Sequence, residues 1–122
     1  MTHKFSLDAM ARELLDAAGH SSARRAARTV IGGHEYLMRQ TVVALAADAS
    51  LAEHDTPGEA TVYVIKGRVE LVAGDQSWQG RSGDLIEIPP QRHSLHALED
   101  SAVLLTAVPR EYEHRAARRP DV

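Results

Sequence analysis

The chain lacks several features that would assign it to a broad functional class. None of its 122 residues is cysteine, which excludes disulfides, thiolate metal ligands and cysteine nucleophiles. The formal net charge is −3 with acidic and basic residues interspersed, so the sequence does not predict the positive surface that nucleic-acid binding requires. The N-terminus has no apolar run long enough for a signal peptide or a membrane span, and we expect a cytoplasmic protein without membrane contact.

Sequence motifs that identify a reaction are also missing. The chain has no phosphate-binding loop, no Gly-rich dinucleotide turn and no recognisable pair of nucleophile and base. Its length and its 43% of hydrophobic residues suffice for one globular domain with a buried core. The sequence therefore gives more information about the fold than about the chemistry.

One amphipathic helix is predicted near the N-terminus, over residues 6–19. Ser6 suits the N-cap, Asp8 suits the first turn, and Gly19 predicts the end of the helix. We expect its apolar stripe to pack on the outside of the protein's own β-structure or on a partner subunit. The stripe of the helix consists of Leu7, Met10, Leu14 and Ala18.

Residues 20–28 are polar and basic, and we interpret them as a connector.

The chain from residue 29 to residue 108 predicts β-structure. Clusters of β-branched and aromatic residues predict roughly nine short strands, and Gly, Pro and Asp residues separate them, as in a sandwich or barrel. Residues 109–122 form a charged tail without apolar periodicity. We expect one domain overall, made of the helix and connector (1–28), the barrel (29–108) and this tail. The predicted strands include residues 29–31, 36–46, 60–65, 68–73, 76–79, 85–88, 93–98 and 102–108.

Two segments each place a histidine at one end of a predicted strand. His54 precedes a Thr-Pro-Gly-Glu turn and a strand that ends at Gly67, while Gly83 and Pro89 flank the strand before His93. The spacing of His54 and Gly67 is similar to the first motif of the cupin superfamily, and the other three residues resemble its second motif. The resemblance implies an all-β fold, a cupin-type double-stranded β-helix or jelly-roll barrel, with one N-terminal α-helix.

The resemblance also implies a metal site, from which two of the four family ligands are missing. Thr56 stands in place of a histidine and Ala60 in place of the metal-binding glutamate, so that His54 and His93 remain. Two imidazoles rarely hold a catalytic metal, because zinc sites with an open position have three protein ligands and the non-haem iron triad needs a carboxylate. A divalent iron, nickel, manganese or zinc ion bound by both histidines is nevertheless one possible cofactor.

Three nearby side chains are candidates for the missing carboxylate. They are Glu53, Asp55 and Glu59. Side chains alternate between the faces of a strand, so Glu59 is predicted on the face opposite Ala60, unless the Pro-Gly turn changes the register.

The resemblance further implies a pocket at the wider mouth of the barrel. His54 and His93 are expected to face each other there, with Thr56, Ala60 and Val62 beside them. A barrel of about eight strands leaves room for one small ligand between its inward side chains.

The strand predicted over residues 36–46 is expected to supply the remaining lining. If Arg39 points inward, the pocket should favour anions; if Met38 and Gln40 do, it should favour a more neutral ligand. The sequence leaves both faces open. They consist of Leu37, Arg39 and Thr41 on one side and Met38, Gln40 and Val42 on the other.

Three functions are compatible with these features. The first, which we favour, is a protein that binds a small organic molecule with His54 and His93 as the polar groups of the pocket. The second is an enzyme, either a metal-dependent oxygenase or isomerase or a metal-free isomerase or lyase with a histidine base. The third is a structural or regulatory module whose important surface is a dimer interface, and the resemblance implies a homodimer in any case.

Overall fold

The computed structural model describes residues 2–55 and 58–109, so the predicted tail beyond residue 109 lies outside the described residues. This part of the chain contains one helix, α1 (Leu7–His20), followed by nine strands. The strands are β1 (Arg25–Ile31), β2 (Arg39–Leu45), β3 (Ser50–His54), β4 (Gly58–Lys66), β5 (Arg68–Ala73), β6 (Gln76–Arg81), β7 (Leu85–Glu87), β8 (His93–Ala97) and β9 (Ser101–Pro109).

The strands form two antiparallel sheets around one apolar interior. A five-stranded sheet has the order β1-β2-β9-β4-β7, and a four-stranded sheet has the order β3-β8-β5-β6. Neighbours such as β2 and β9, or β3 and β8, are far apart in the sequence, so the chain crosses repeatedly between the sheets, as in a jelly roll. The predicted all-β fold with one N-terminal helix is confirmed.

Apolar side chains from both sheets fill the interior. In β2, Val43 and Leu45 point into it, whereas Val42 and Ala44 point outward to α1. Because side chains alternate along a strand, Thr41 belongs to the inward face. The buried residues of the interior are Val43, Leu45, Val62, Val64, Val69, Leu71, Ile88, Leu95, Ala97 and Val103.

Helix α1 covers the outer face of the five-stranded sheet. Ser6 is its N-cap, and the Ser6 Oγ accepts a hydrogen bond from the Ala9 N–H at 3.2 Å. The helix passes through Gly19 and ends at His20, one residue later than predicted. No helix in residues 2–55 and 58–109 is both long enough and apolar enough to cross a membrane. The expected packing on the protein's own β-structure is confirmed, with Met10, Leu14 and Ala18 against Val42 and Ala44.

The first strands differ from the prediction. Strand β1 begins at Arg25, so the interpretation of residues 20–28 as a connector is wrong for the last four of them. The reason is backbone pairing with β2, in which Arg25 pairs with Leu45 and Arg28 with Val42. Polar side chains do not prevent such pairing in an edge strand, whose side chains are largely exposed. Strand β2 starts at Arg39 rather than at residue 36, and β3 was not predicted.

Gly67 forms the tight turn between β4 and β5. Its φ of 92° lies in the left-handed region, which favours glycine. A Cβ atom at this position would also collide with the Ser101 Oγ and the Asp100 carbonyl oxygen. The Ser101 hydroxyl is buried and accepts a hydrogen bond from the Arg68 N–H at 3.0 Å. The turn therefore depends on both the conformation and the small size of glycine.

Candidate functional site

Two histidines meet where β3 ends and β8 begins. His54 is the last residue of β3 and pairs with His93, the first residue of β8. Their ring centroids are 4.4 Å apart, with an angle of 59° between the ring planes. His93 is buried, with 3% of its surface exposed, whereas His54 is exposed. The pair therefore lies at the boundary between the interior of the barrel and its surface.

A β-bulge brings His54 to this position. Leu51 pairs with Leu95 and His54 with His93, so three steps along β3 correspond to two along β8. In a regular strand, side chains three positions apart lie on opposite faces. The extra residue in β3 lets both Leu51 and His54 line the same cavity.

Backbone carbonyl groups fix the tautomer of both neutral rings. The Nδ1 of His54 lies 2.9 Å from the Ala52 oxygen, and the Nδ1 of His93 lies 3.0 Å from the Gln91 oxygen. A carbonyl oxygen only accepts, so each Nδ1 carries the hydrogen and donates it. Each neutral ring then has its lone pair on Nε2, the nitrogen that can accept a hydrogen bond or bind a metal.

The histidines line a largely apolar cavity of about 220 Å³ between the two sheets. Among the described residues, the polar side chains of the wall are those of His54, His93 and Asp55; Thr106 also borders the cavity, but its hydroxyl is on the outer face. The rest of the wall comes from apolar residues of both sheets. These residues are Leu51, Ala60, Val62, Leu71, Ile88, Leu95, Leu105 and Ala107.

The structure brings together four of the eight residues that were predicted to form a pocket. His54, His93, Ala60 and Val62 all line the cavity. Thr56 lies outside the described residues. The shared cavity places the two histidines next to the inward face of β4.

Three predicted pocket residues at or just before the start of β2 do not line the cavity. By alternation along β2, Arg39 belongs to the inward face, but its side chain is exposed at the end of the barrel and does not line the cavity. Gln40 lies on the opposite face, and its Nε2 donates to the Thr106 Oγ1 at 3.0 Å. Met38 precedes the strand and is exposed. The inward face is thus the one that contains Arg39, although its guanidinium is not part of the cavity wall.

Of the three candidate carboxylates, only Asp55 lines the cavity. Arg92 contacts two of them, with Nε 3.2 Å from the Glu53 Oε1 and Nη1 3.8 Å from the Asp55 Oδ1. Residues 2–55 and 58–109 contain no group of three or more His, Cys, Asp or Glu side chains that could hold a metal ion. The donor set formed by His54 and His93 therefore does not reach the three protein ligands usual for a catalytic metal.

Several apolar lining residues were not predicted from the sequence. Leu51 was missed because the bulge in β3 has no sequence signature that we recognised. Leu71, Leu95 and Leu105 follow the simple alternation of their strands, and that alternation was the available signal. Ile88 follows β7, and its N–H donates to the Ala60 carbonyl oxygen at 3.0 Å.

A third histidine, His96, lies on the outer face of β8, the strand that begins with His93. The His96 ring is held between two hydroxyl groups, with Nδ1 2.6 Å from the Ser50 Oγ and Nε2 2.9 Å from the Ser94 Oγ. It is half-buried and does not line the cavity. His96 is therefore a suitable control position for experiments on the other two histidines.

Comparison with known proteins supports this architecture. The sequence model described as "Cupin domain" matches residues 41–109, more than half of the chain. The fold is similar to that of a cupin 2 conserved barrel domain protein from Salinispora arenicola, with 19% identity, 98% of both chains covered and a TM-score of 0.68.

Two further solved structures are similar over most of the chain. A conserved protein of unknown function from Streptococcus pyogenes is 24% identical, with 73% of this chain and 77% of that chain covered and a TM-score of 0.65. An RmlC-like cupin protein from Desulfovibrio desulfuricans is 26% identical, with 70% and 82% covered and a TM-score of 0.60. No curated protein matches the sequence.

Proposed function

The chain belongs to the cupin domain family, and we propose that it binds a small, mainly apolar organic molecule in the cavity between its sheets. His54 and His93 hold the polar group of this ligand. The observation that supports the proposal is the position of two adjacent imidazoles on one wall of an otherwise largely aliphatic cavity.

The walls limit the chemistry of the ligand. Aliphatic side chains cannot replace the hydrogen bonds that a polar group loses when it leaves water, and an unpaired buried polar group costs roughly 1–3 kcal/mol. The ligand therefore has an apolar body inside and a polar group at the histidines. Because the His54 Nδ1 donates to the Ala52 carbonyl oxygen, its Nε2 is the acceptor, and a hydroxyl group is a suitable partner.

The cavity volume limits the size of the ligand. An apolar cavity of about 150 Å³ in another protein holds one benzene molecule, while pockets for drug-sized ligands are about 300–1,000 Å³. A volume of about 220 Å³ lies between these values. The buried part of the ligand is accordingly a single ring or a short branched chain, and benzyl alcohol is a suitable probe.

Calorimetric titration with benzyl alcohol tests the proposal on protein purified without a histidine tag. His54→Ala should weaken binding by about tenfold, because it removes the acceptor nitrogen and the loss of a hydrogen bond of about 1.4 kcal/mol corresponds to that factor. His93→Ala should act in the same direction. His96→Ala, on the outer face of the same sheet, should leave the affinity unchanged.

Two results would contradict the proposal. One is wild-type affinity in His54→Ala, a substitution at an exposed position that should not disturb folding. The other is the absence of measurable binding by benzyl alcohol together with the absence of any co-purified organic molecule in native mass spectrometry. Thermal unfolding of each variant checks that the loss of binding is not a loss of structure.

A metal-dependent enzyme, of oxygenase or isomerase type, is the second candidate. Both Nε2 atoms carry the lone pair that a metal needs, which favours this alternative. The incomplete donor set among the described residues argues against it. Elemental analysis of untagged protein distinguishes the two, since this candidate requires stoichiometric metal that His54→Ala removes.

We also propose that the protein forms a homodimer. Helix α1 does not have its apolar stripe available for the contact, because that stripe is buried on the five-stranded sheet. Another surface must then form the interface. Sedimentation velocity over a range of concentrations tests the dimer directly, and a purely monomeric protein would contradict it.

A further inference from the structure

Three consecutive large apolar side chains are exposed just before β2. Tyr36 and Leu37 are each 47% exposed, and Met38 is 39% exposed. Single exposed apolar residues are common, but a run of three or more usually has a function. We refer to these three residues as the rim segment.

The rim segment lies at the cavity end of the barrel. It directly precedes Arg39, which pairs with Ala107 of β9, and Ala107 in turn pairs with Ala60 of β4. Both alanines line the cavity. The rim segment is thus the continuation of a strand whose first residue lies in the same cross-strand row as two residues of the cavity wall.

Two other exposed large apolar side chains, in β7 and after β8, lie farther from this row. Leu85 pairs with Tyr63, which alternates with the inward Val62, so Leu85 is on the outer face of the sheet. The Leu98 N–H donates to the Arg68 carbonyl oxygen, after the Gly67 turn at the opposite end of β4. These two residues are similar in character to the rim segment but do not line the cavity.

We propose that the rim segment is the outer part of the ligand site and binds a second apolar group of the ligand, outside the cavity. This inference rests on the proposed function. The polar group is held at the mouth, because His54 is exposed and His93 is buried beside it. The ligand class is therefore an alcohol with an apolar group on each side of its hydroxyl: one group fills the cavity and the other lies on the rim segment.

A homologous series of 1-phenylalkanols, from benzyl alcohol to 1-phenylhexan-1-ol, tests this assignment by calorimetry. The phenyl ring has the size of the cavity, and the alkyl chain lengthens only on the outer side of the hydroxyl. For the wild-type protein, the affinity should rise by about tenfold or more along the series. The triple variant carries Tyr36→Ser, Leu37→Ser and Met38→Ser. It should bind benzyl alcohol as the wild type does, but its affinity should increase by no more than about twofold along the series.

A matched control removes apolar surface elsewhere. Leu85→Ser with Leu98→Ser should retain the full rise with chain length. Leu37→Ser alone should reduce the rise, which provides a second test if the triple variant is poorly stable. A rise with chain length that is equal in the wild type and the triple variant would overturn the inference.

Two further outcomes are distinguishable. If benzyl alcohol binds to neither protein and neither carries a co-purified organic molecule, the proposed function fails, and this inference fails with it. If the triple variant keeps the full rise but changes from dimer to monomer in sedimentation velocity, the rim segment is a contact between two copies of the chain, and only the inference on the ligand is overturned.

Discussion

Filling the cavity from its wall should abolish binding without destabilising the protein. Ala60 lines the cavity on the inward face of β4, and the cavity volume is about 220 Å³. A benzene-sized group needs about 150 Å³. The ring of Ala60→Phe should therefore fit and leave roughly 70 Å³, which is too little for benzyl alcohol.

The free energy of unfolding of this variant should stay equal or rise. Burying an aromatic side chain contributes about 1.5–3 kcal/mol, part of which is offset by imperfect packing. The matched control is Ala97→Phe, which adds the same ring at a buried alanine of the same interior that does not line the cavity. That change should destabilise the protein by about 1–3 kcal/mol, because a packed core has no room for the ring.

Urea unfolding and benzyl alcohol titration measure both effects. The expected result for Ala60→Phe is an unchanged or higher unfolding midpoint, with affinity reduced by more than tenfold. Destabilisation equal to that of Ala97→Phe would refute the existence of the cavity. Stable protein with wild-type affinity would instead refute the assignment of the cavity as the binding site.

Substitutions at three other positions test the scaffold by urea unfolding. Gly67→Ala should destabilise by at least about 2 kcal/mol, from the positive φ and the collision with Ser101; wild-type stability would contradict the turn geometry. Ser6→Ala should cost about 1 kcal/mol and Ser6→Asn almost nothing, and equal losses would rule out the cap. Arg92→Ala should cost less than about 1 kcal/mol, because its ion pair with Glu53 is exposed, and a larger loss that persists in high salt would show a role beyond these ion pairs.

Two motif spacings resemble those of cupins; this resemblance was sufficient to predict the fold, and it implied that two distant histidines meet. His54 and Gly67 flank one strand, and Gly67 is required there because of its positive φ. Simple alternation from Ala60 also predicts that Val62 shares its face, and both line the cavity. The Gly67 turn and the shared face of Ala60 and Val62 could be predicted because they depend on local geometry, namely a positive φ and the two-residue period of a strand.

Other parts of the site depend on contacts that the sequence does not encode locally. The inward face of β2 is decided by α1, which covers Val42 and Ala44 and leaves Val43 for the interior. Leu51 reaches the cavity only through a bulge against β8. Arg25 belongs to a strand because β2 supplies its backbone partners, although its side chain suggests a loop.

The most direct test of the central claim is proton–carbon NMR of the histidine rings during titration with benzyl alcohol. We predict that the Cε1–Hε1 signals of His54 and His93 shift together with one dissociation constant. We also predict a nuclear Overhauser contact between the two rings, whose centroids are 4.4 Å apart, and an unchanged His96 signal. Binding that leaves both His54 and His93 unshifted, or shifts His96 equally, would contradict the claim that this pair holds the ligand.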